Sequence, residues 1–173
     1  MLSLNGEWTL YYAPETGETR TDPEWLRSHG EKIAAQVPGN VELDLFRAGR
    51  EPDPFYGENI YRFRPYEFFC WQFERDFEAP EGAEGQEMVF EGLNCFADVY
   101  LNERLIGCTH NAFLRHSFDV TDALRKGKNH LTVRIRSAVN EARKMTPPAL
   151  SSTHESGAEF PMLRMPPSCR RIT

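Results

Sequence analysis

At 173 residues the chain has the length of one domain, enough to bury most of its apolar surface in a single core. Twenty Lys and Arg stand against 26 Asp and Glu, a formal net charge of -6, and the basic residues are scattered, so neither nucleic acid nor an anionic membrane surface is an expected partner. No apolar run approaches the roughly 18–20 residues that cross a bilayer, and the opening Met1-Leu2-Ser3-Leu4 lacks the basic and apolar regions of a leader; the expected address is cytoplasmic.

In chain order, Val37-Pro38-Gly39-Asn40 is a turn that runs into a short helix at Val41-Glu42-Leu43-Asp44-Leu45-Phe46, of the kind that plugs the end of a sandwich. Asp53-Pro54-Phe55-Tyr56-Gly57-Glu58-Asn59 follows, a stiffened aromatic-polar segment. Two rings offer faces for sugar C–H groups, and Asp53 and Asn59 offer partners for hydroxyls, although aromatics and amides also occur together in ordinary packed loops. From Phe69 to Phe77 the odd positions are apolar apart from Arg75, while Gln72, Glu74 and Asp76 alternate with them, predicting a half-buried strand.

Glu87–Glu91 and Phe96–Leu101 read as two more strands with a corner at Gly92-Leu93-Asn94-Cys95, and a hairpin through Asn102-Glu103-Arg104 leads to Leu105-Ile106-Gly107. Asp119–Gly127 reads as a short turn of helix, with Thr121 accepting the first N–H groups and Gly127 supplying a left-handed stop. Leu131-Thr132-Val133-Arg134-Ile135-Arg136 is the clearest strand, with Leu131, Val133 and Ile135 inward and Thr132, Arg134 and Arg136 on a wet face. Short aromatic and β-branched runs divided by turns predict an all-β fold, a β-sandwich with short helical turns over residues 1–140. Periodicity fails beyond about residue 140, and residues 141–173 are expected to be an irregular C-terminal segment of the same domain.

The chemistry-bearing residues form no catalytic pattern. Cys70, Cys95, Cys108 and Cys169 are widely spaced and read as free thiols, and the five histidines show no metal-ligand spacing; no metal or cofactor is implied. A retaining glycosidase needs two carboxyl groups about 5–5.5 Å apart, but Glu103 at a hairpin tip and Glu141 after a strand end read as solvated turn charges. Ser151-Ser152-Thr153-His154-Glu155 has no nucleophile elbow around it, and no Gly-rich phosphate loop is present.

The phrases Leu4-x-Gly6-x-Trp8, Val37-Pro38-Gly39, Asp53-Pro54-Phe55-Tyr56-Gly57-x-Asn59, Trp71, Phe90-Glu91-Gly92-Leu93, Ala97-Asp98-Val99-Tyr100-Leu101-Asn102, Phe118-Asp119-Val120-Thr121 and Gly127-Lys128-Asn129 occur in an order similar to the opening of the family 2 β-mannosidases. The resemblance covers nearly all of residues 2–137. It implies a jelly-roll, galactose-binding-like domain that precedes an immunoglobulin-like domain and a barrel carrying the catalytic glutamates. No catalytic residue is expected in the domain itself. It further implies that the Asp53–Asn59 loop helps wall the sugar pocket, with Asn59 as the first candidate for contact with the sugar or the site rim and Asp53, Phe55 and Tyr56 as second candidates for substrate binding that chiefly shape the loop. Arg164 matches the arginine that precedes a Gly-Trp-Asp-Trp-Gly-Pro phrase in these enzymes, but no Trp-Asp-Trp follows it here. Related β-galactosidases and β-glucuronidases share the sandwich, so specificity for another sugar is an alternative.

The implied partner is a carbohydrate substrate shared with a catalytic barrel, and a homo-oligomer is left open. Two other functions compete: an independent carbohydrate-binding module using Trp25, Phe55 and Tyr56 as its platform, and an interaction domain that holds an oligomer together.

Overall fold

The computed structural model describes residues 2–16, 22–79 and 86–145. Its strands, in chain order, are β1 (Gly6–Pro14), β2 (Glu31–Val37), β3 (Phe69–Ala79), β4 (Glu87–Phe90), β5 (Ala97–Leu101), β6 (Arg104–Thr109), β7 (His116–Asp119) and β8 (Gly127–Ile135). All pair antiparallel, in a six-stranded sheet of order β2-β1-β3-β8-β5-β6 and a two-stranded sheet β4-β7. Helices α1 (Pro23–His29), α2 (Val41–Arg47) and α3 (Ala138–Met145) and a 3₁₀ segment (Asn59–Phe68) complete the described elements. The all-β expectation with short helices holds.

One face of the large sheet carries the core. β1 alternates Trp8, Leu10 and Tyr12 inward, and the register places Leu10 between Ile33 of β2 and Phe73 of β3. Tyr12 lies opposite Trp71 with the rings stacked 5.2 Å apart. Two apolar clusters share this face. Trp8, Val99, Leu101, Leu131 and Val133 meet Met88 of β4 and Ile106 of β6 under the small sheet, while Leu10, Tyr12, Ile33 and Trp71 are closed over by Leu45 of α2 and Phe63 of the 3₁₀ segment. At Gly107 of β6 the two sheets approach so closely that a Cβ there would lie 2.1 Å from Cε1 of Phe118 on β7.

The hairpin between β5 and β6 turns at Asn102 and Glu103, with φ of 51° and 71°, the paired left-handed geometry that matches strand twist. The Asn102 amide donates to the Ala123 carbonyl and to Asn129 Oδ1, both at 2.8 Å, and accepts from His130 N at 3.0 Å. Helix α2 begins at Asn40, whose Oδ1 accepts from Leu43 N at 3.0 Å. Asp44 in the same helix is buried; its Oδ1 accepts from Gln36 N of the edge strand β2 at 3.1 Å and from Arg47 Nη1 at 3.0 Å.

Three expectations are corrected. The first is the polar face of β3 and β8, which is covered over much of its length although Asp76 stays exposed. Gln72, Glu74 and Thr132 are buried, because α1 lies across that face with Leu26 packed on Ala13 and Cys70. Gln72 Nε2 donates to the Pro23 carbonyl at 3.0 Å and to Glu74 Oε1 at 2.7 Å. Alternation reports that one face is polar, but not what covers it.

The second is the Asp119–Gly127 turn, which forms no helix; Asp119 rather than Thr121 is the acceptor, taking Thr121 N at 2.9 Å, and Gly127 has the left-handed φ of 80°. The third is Glu141, which is buried in α3 with ion pairs to Arg136 Nη1 at 3.2 Å and Lys144 Nζ at 2.7 Å. Residues 138–145, which span the expected boundary at 140, fold as that helix. Its start is tied down by Ser137, whose N donates to Glu15 Oε2 and whose Oγ donates to the Glu67 carbonyl, both at 2.7 Å.

Candidate functional site

Between α2 and β3 the chain rises into a ridge. Asp53 starts it with an Asx turn, Oδ1 accepting from Phe55 N at 2.9 Å, and the Asp53 carbonyl accepts from Tyr56 N at 3.2 Å. Gly57 follows with φ of 56° and open space where a Cβ would stand, a conformation that suits glycine. Asn59 closes the turn from both its groups: its backbone N donates to the Tyr56 carbonyl at 3.2 Å and its Nδ2 to the Asp53 carbonyl at 2.9 Å.

The ridge is anchored from below. Pro54 is buried, Phe63 is 5% exposed within the core, and Glu51 receives Arg62 Nε at 3.0 Å and the Tyr66 hydroxyl at 3.1 Å. Burial and the Glu51 carboxylate together raise the Tyr66 hydroxyl above the usual tyrosine range, which keeps it a donor. On top, Phe55 is 81% and Tyr56 78% exposed. The turn thus carries two exposed rings on a backbone tied by hydrogen bonds within the turn itself.

The structure therefore brings Asp53, Phe55, Tyr56 and Asn59 together. A carboxamide has two donors and one acceptor; the bond to Asp53 uses one donor of Asn59 and sets the direction of the group. Asp53 acts through the backbone it shapes. Arg164 lies outside the described residues, as do Cys169 and the Ser151–Glu155 segment. Ile60 and Tyr61, not singled out from the sequence, follow the turn in the chain and are both at least half exposed, with the Arg64 guanidinium 5.0 Å from the Tyr61 ring centre. The 3₁₀ segment with Pro65 inside it has no 3.6-residue stripe that would have placed them.

Trp25 does not join Phe55 and Tyr56. It is half-buried on α1, stacked 4.8 Å from His29, and α1 packs on the opposite face of the large sheet from Phe63. Two surface grooves, one of about 450 Å³ along β1, β2 and β3 and one of about 580 Å³ between β2 and α2, are not lined by any ridge residue. Glu103 is exposed at its hairpin tip and Glu141 is neutralised by Arg136 and Lys144, so these two carboxylates sit on separate elements. Among the described residues no group of His, Cys, Asp and Glu could hold a metal ion.

Comparison with known proteins now decides the family. Residues 16–166 match the model of the glycosyl hydrolase 2 galactose-binding domain-like family. The chain belongs to it. Within the family, it is 32% identical over 151 residues to a β-mannosidase of Rattus norvegicus, an alignment covering 84% of this chain and 16% of the relative. The solved β-D-mannosidase of Dictyoglomus thermophilum superposes with a TM-score of 0.67 at 33% identity, covering 86% of this chain and 17% of that one. A β-glucuronidase of Bifidobacterium dentium, solved with coumarin-3-O-glucuronide, matches at 30% identity and a TM-score of 0.51, over 77% and 19% of the two chains. The chain thus spans less than one fifth of each of these three relatives, and the galactose-binding-like sandwich expected from the sequence is its fold.

Proposed function

We propose that this chain is the N-terminal, non-catalytic domain of a retaining exo-β-glycosidase of β-mannosidase type, and that its 53–61 ridge forms part of the wall of the sugar pocket. The observation that carries the reading is the ridge itself: exposed rings held rigidly beside a carboxamide whose direction is set by Asp53. Such a surface suits contact with a sugar and with the domain that would bring the catalytic carboxylates. The sandwich supplies shape and one polar contact. The paired carboxyl groups of retaining chemistry belong to a barrel in this reading, and the isolated chain is inactive on aryl β-glycosides.

The similarity to β-mannosidases in both sequence and structure supports mannosides as the substrate class over uronides. The test is Asn59→Ala in the longer protein that carries the barrel. Loss of one pocket hydrogen bond is worth about 1.5 kcal/mol, so kcat/KM falls roughly tenfold while Tm barely moves. Unchanged activity refutes the role of Asn59, and a joint fall of activity and stability makes the loop merely structural. Calorimetry of the isolated chain with mannose separates the alternative: heat of binding at millimolar sugar would favour an independent carbohydrate-binding module.

A further inference from the structure

We propose that Phe113 and Leu114, at the tip of the loop between β6 and β7, anchor this sandwich to the part of a longer chain that follows it. The inference rests on the reading of the chain as the first domain of a longer glycosidase, and it gives the tip no contact with sugar. Phe113 is 96% exposed, more than any other large apolar side chain among the described residues, and Leu114 beside it is more than half exposed. A single apolar side chain in water needs no explanation, but a ring and a leucine presented side by side on a held loop do.

The loop is held at several points. Asn111 makes an Asx turn, its Oδ1 accepting from Phe113 N at 2.9 Å, and His116 Nε2 stands 2.9 Å from the Asn111 carbonyl oxygen. At the root, Thr109 Oγ1 donates to the Cys95 carbonyl at 3.0 Å. Gly92 lies so close that an added Cβ would stand 3.1 Å from the Ala112 carbonyl oxygen. Such prior ordering lowers the entropy that a docking contact has to overcome.

Strand register places the tip and the aromatic ridge at the same end of the molecule. Tyr12, Trp71, Ile135, Ala97 and Thr109 form one row across β1, β3, β8, β5 and β6. The 3₁₀ segment that continues the ridge enters β3 just before Trp71, and the loop leaves β6 just after Thr109. Three strand spacings, about 15 Å, separate the two roots. β8 ends between them, and α3, which follows it, keeps the Arg143 guanidinium 5.0 Å from the Phe68 ring centre. The last described helix therefore also lies at this end, and the β-mannosidases similar to this chain are matched over only 16% and 17% of their own length.

Contact area favours a tethered occupant. A phenylalanine ring buries about 150–250 Å², and even with the leucine beside it the tip falls far short of the roughly 800 Å² per partner in a stable complex of separate molecules. A covalent link supplies an effective concentration of about millimolar, at which a small apolar contact suffices. The occupant is thus an apolar socket on a following domain of the same chain, rather than a second copy or a free partner.

The experiment is hydrogen exchange of the 173-residue chain and of the longer protein that carries the barrel, each as wild type and as Phe113→Ser. The backbone amides of 112–115 are expected to exchange about tenfold or more slowly in the longer protein, since burial of one ring shifts a local opening equilibrium by that factor. Phe113→Ser should abolish the difference and leave the urea midpoint of the 173-residue chain unchanged, as the ring is 96% exposed there. Equal exchange in the two proteins overturns the proposal. So does protection that rises with the concentration of the shorter chain, which would mean a second copy, or protection that appears only with added mannose, which would mean a sugar surface. A lowered urea midpoint in the shorter variant also overturns it, by showing that the ring packs within the sandwich. Should the longer variant fail to fold, the wild-type comparison decides alone. Asn59→Ala reads activity and this comparison reads exchange at another loop, so either reading can fail while the other stands.

Discussion

The close approach of the two sheets at Gly107 offers a sharp test of the packing. At Gly107 an added Cβ would stand 2.1 Å from Cε1, 2.3 Å from Cδ1 and 2.9 Å from Cζ of Phe118, so roughly 1.3 Å must open before ordinary van der Waals contact is regained. Gly107 does not sit in the left-handed region, so alanine costs nothing through the backbone and the penalty is steric alone. Phe118 has little room to retreat. Its ring meets Phe90 edge-on at 6.1 Å and stacks on His116 at 6.5 Å, and it packs on the core beneath the small sheet.

Gly107→Ala is therefore expected to destabilise the chain by about 1–3 kcal/mol, the range for inserting a methyl group into a well-packed core. Phe118→Ala removes all three clashing atoms at its own cavity cost, and in the double variant the two penalties should fall short of their sum by about 1 kcal/mol or more. Urea unfolding of the four proteins measures this directly. A neutral Gly107→Ala, or strict additivity in the cycle, would refute the claim that β6 and β7 are held at this distance.

Two further outcomes test other parts of the fold. Trp71 is 7% exposed and stacked on Tyr12, so Trp71→Ala should cost about 3–5 kcal/mol in urea unfolding; a melting temperature close to wild type would mean that the faces of β3 are misassigned. Burial alone would raise the Glu74 carboxyl, but hydrogen bonds from His130 and Arg27 overcome it and hold the pKa below the usual carboxylate value. That depressed pKa stabilises the fold above the unfolded value and the contribution is lost as pH falls through the folded one, so Glu74→Gln should flatten the acid limb of a plot of urea midpoint against pH.

The parts of the fold that the sequence revealed and concealed differ for physical reasons. β5, β6 and β8 were legible because each buries one face against the core and turns at residues with a conformational reason to be there, as at Asn102-Glu103. β1 escaped notice although Trp8, Leu10 and Tyr12 alternate, because Tyr11 and Ala13 on the other face are themselves packed by α1 and blur the period. With seven residues, α1 is too short to display a helical stripe; its signal is Asp22 before Pro23, an N-cap whose Oδ1 accepts from Trp25 N at 3.0 Å. Hence the burial of Gln72 and Glu74 could not be foreseen. The ridge was legible through Pro54, Gly57 and its two rings, and the family resemblance singled out Asn59. The bond that aims the Asn59 amide required coordinates.

β2 forms one border of the large sheet, and its pairing with Asp44 bears on how the molecule avoids its own kind. A border strand displays unpaired backbone donors that can recruit a strand from another chain. Here the Gln36 donor is occupied by a carboxylate from α2, buried and paired with Arg47. An intruding strand would have to displace that carboxylate and leave the buried Asp44 acceptor without its backbone donor, the costly outcome for a buried polar group. The helix thus acts as a bolt across an open side of the sandwich, turning away fibril-like stacking of copies at that point while leaving the aromatic ridge free for contacts of another sort.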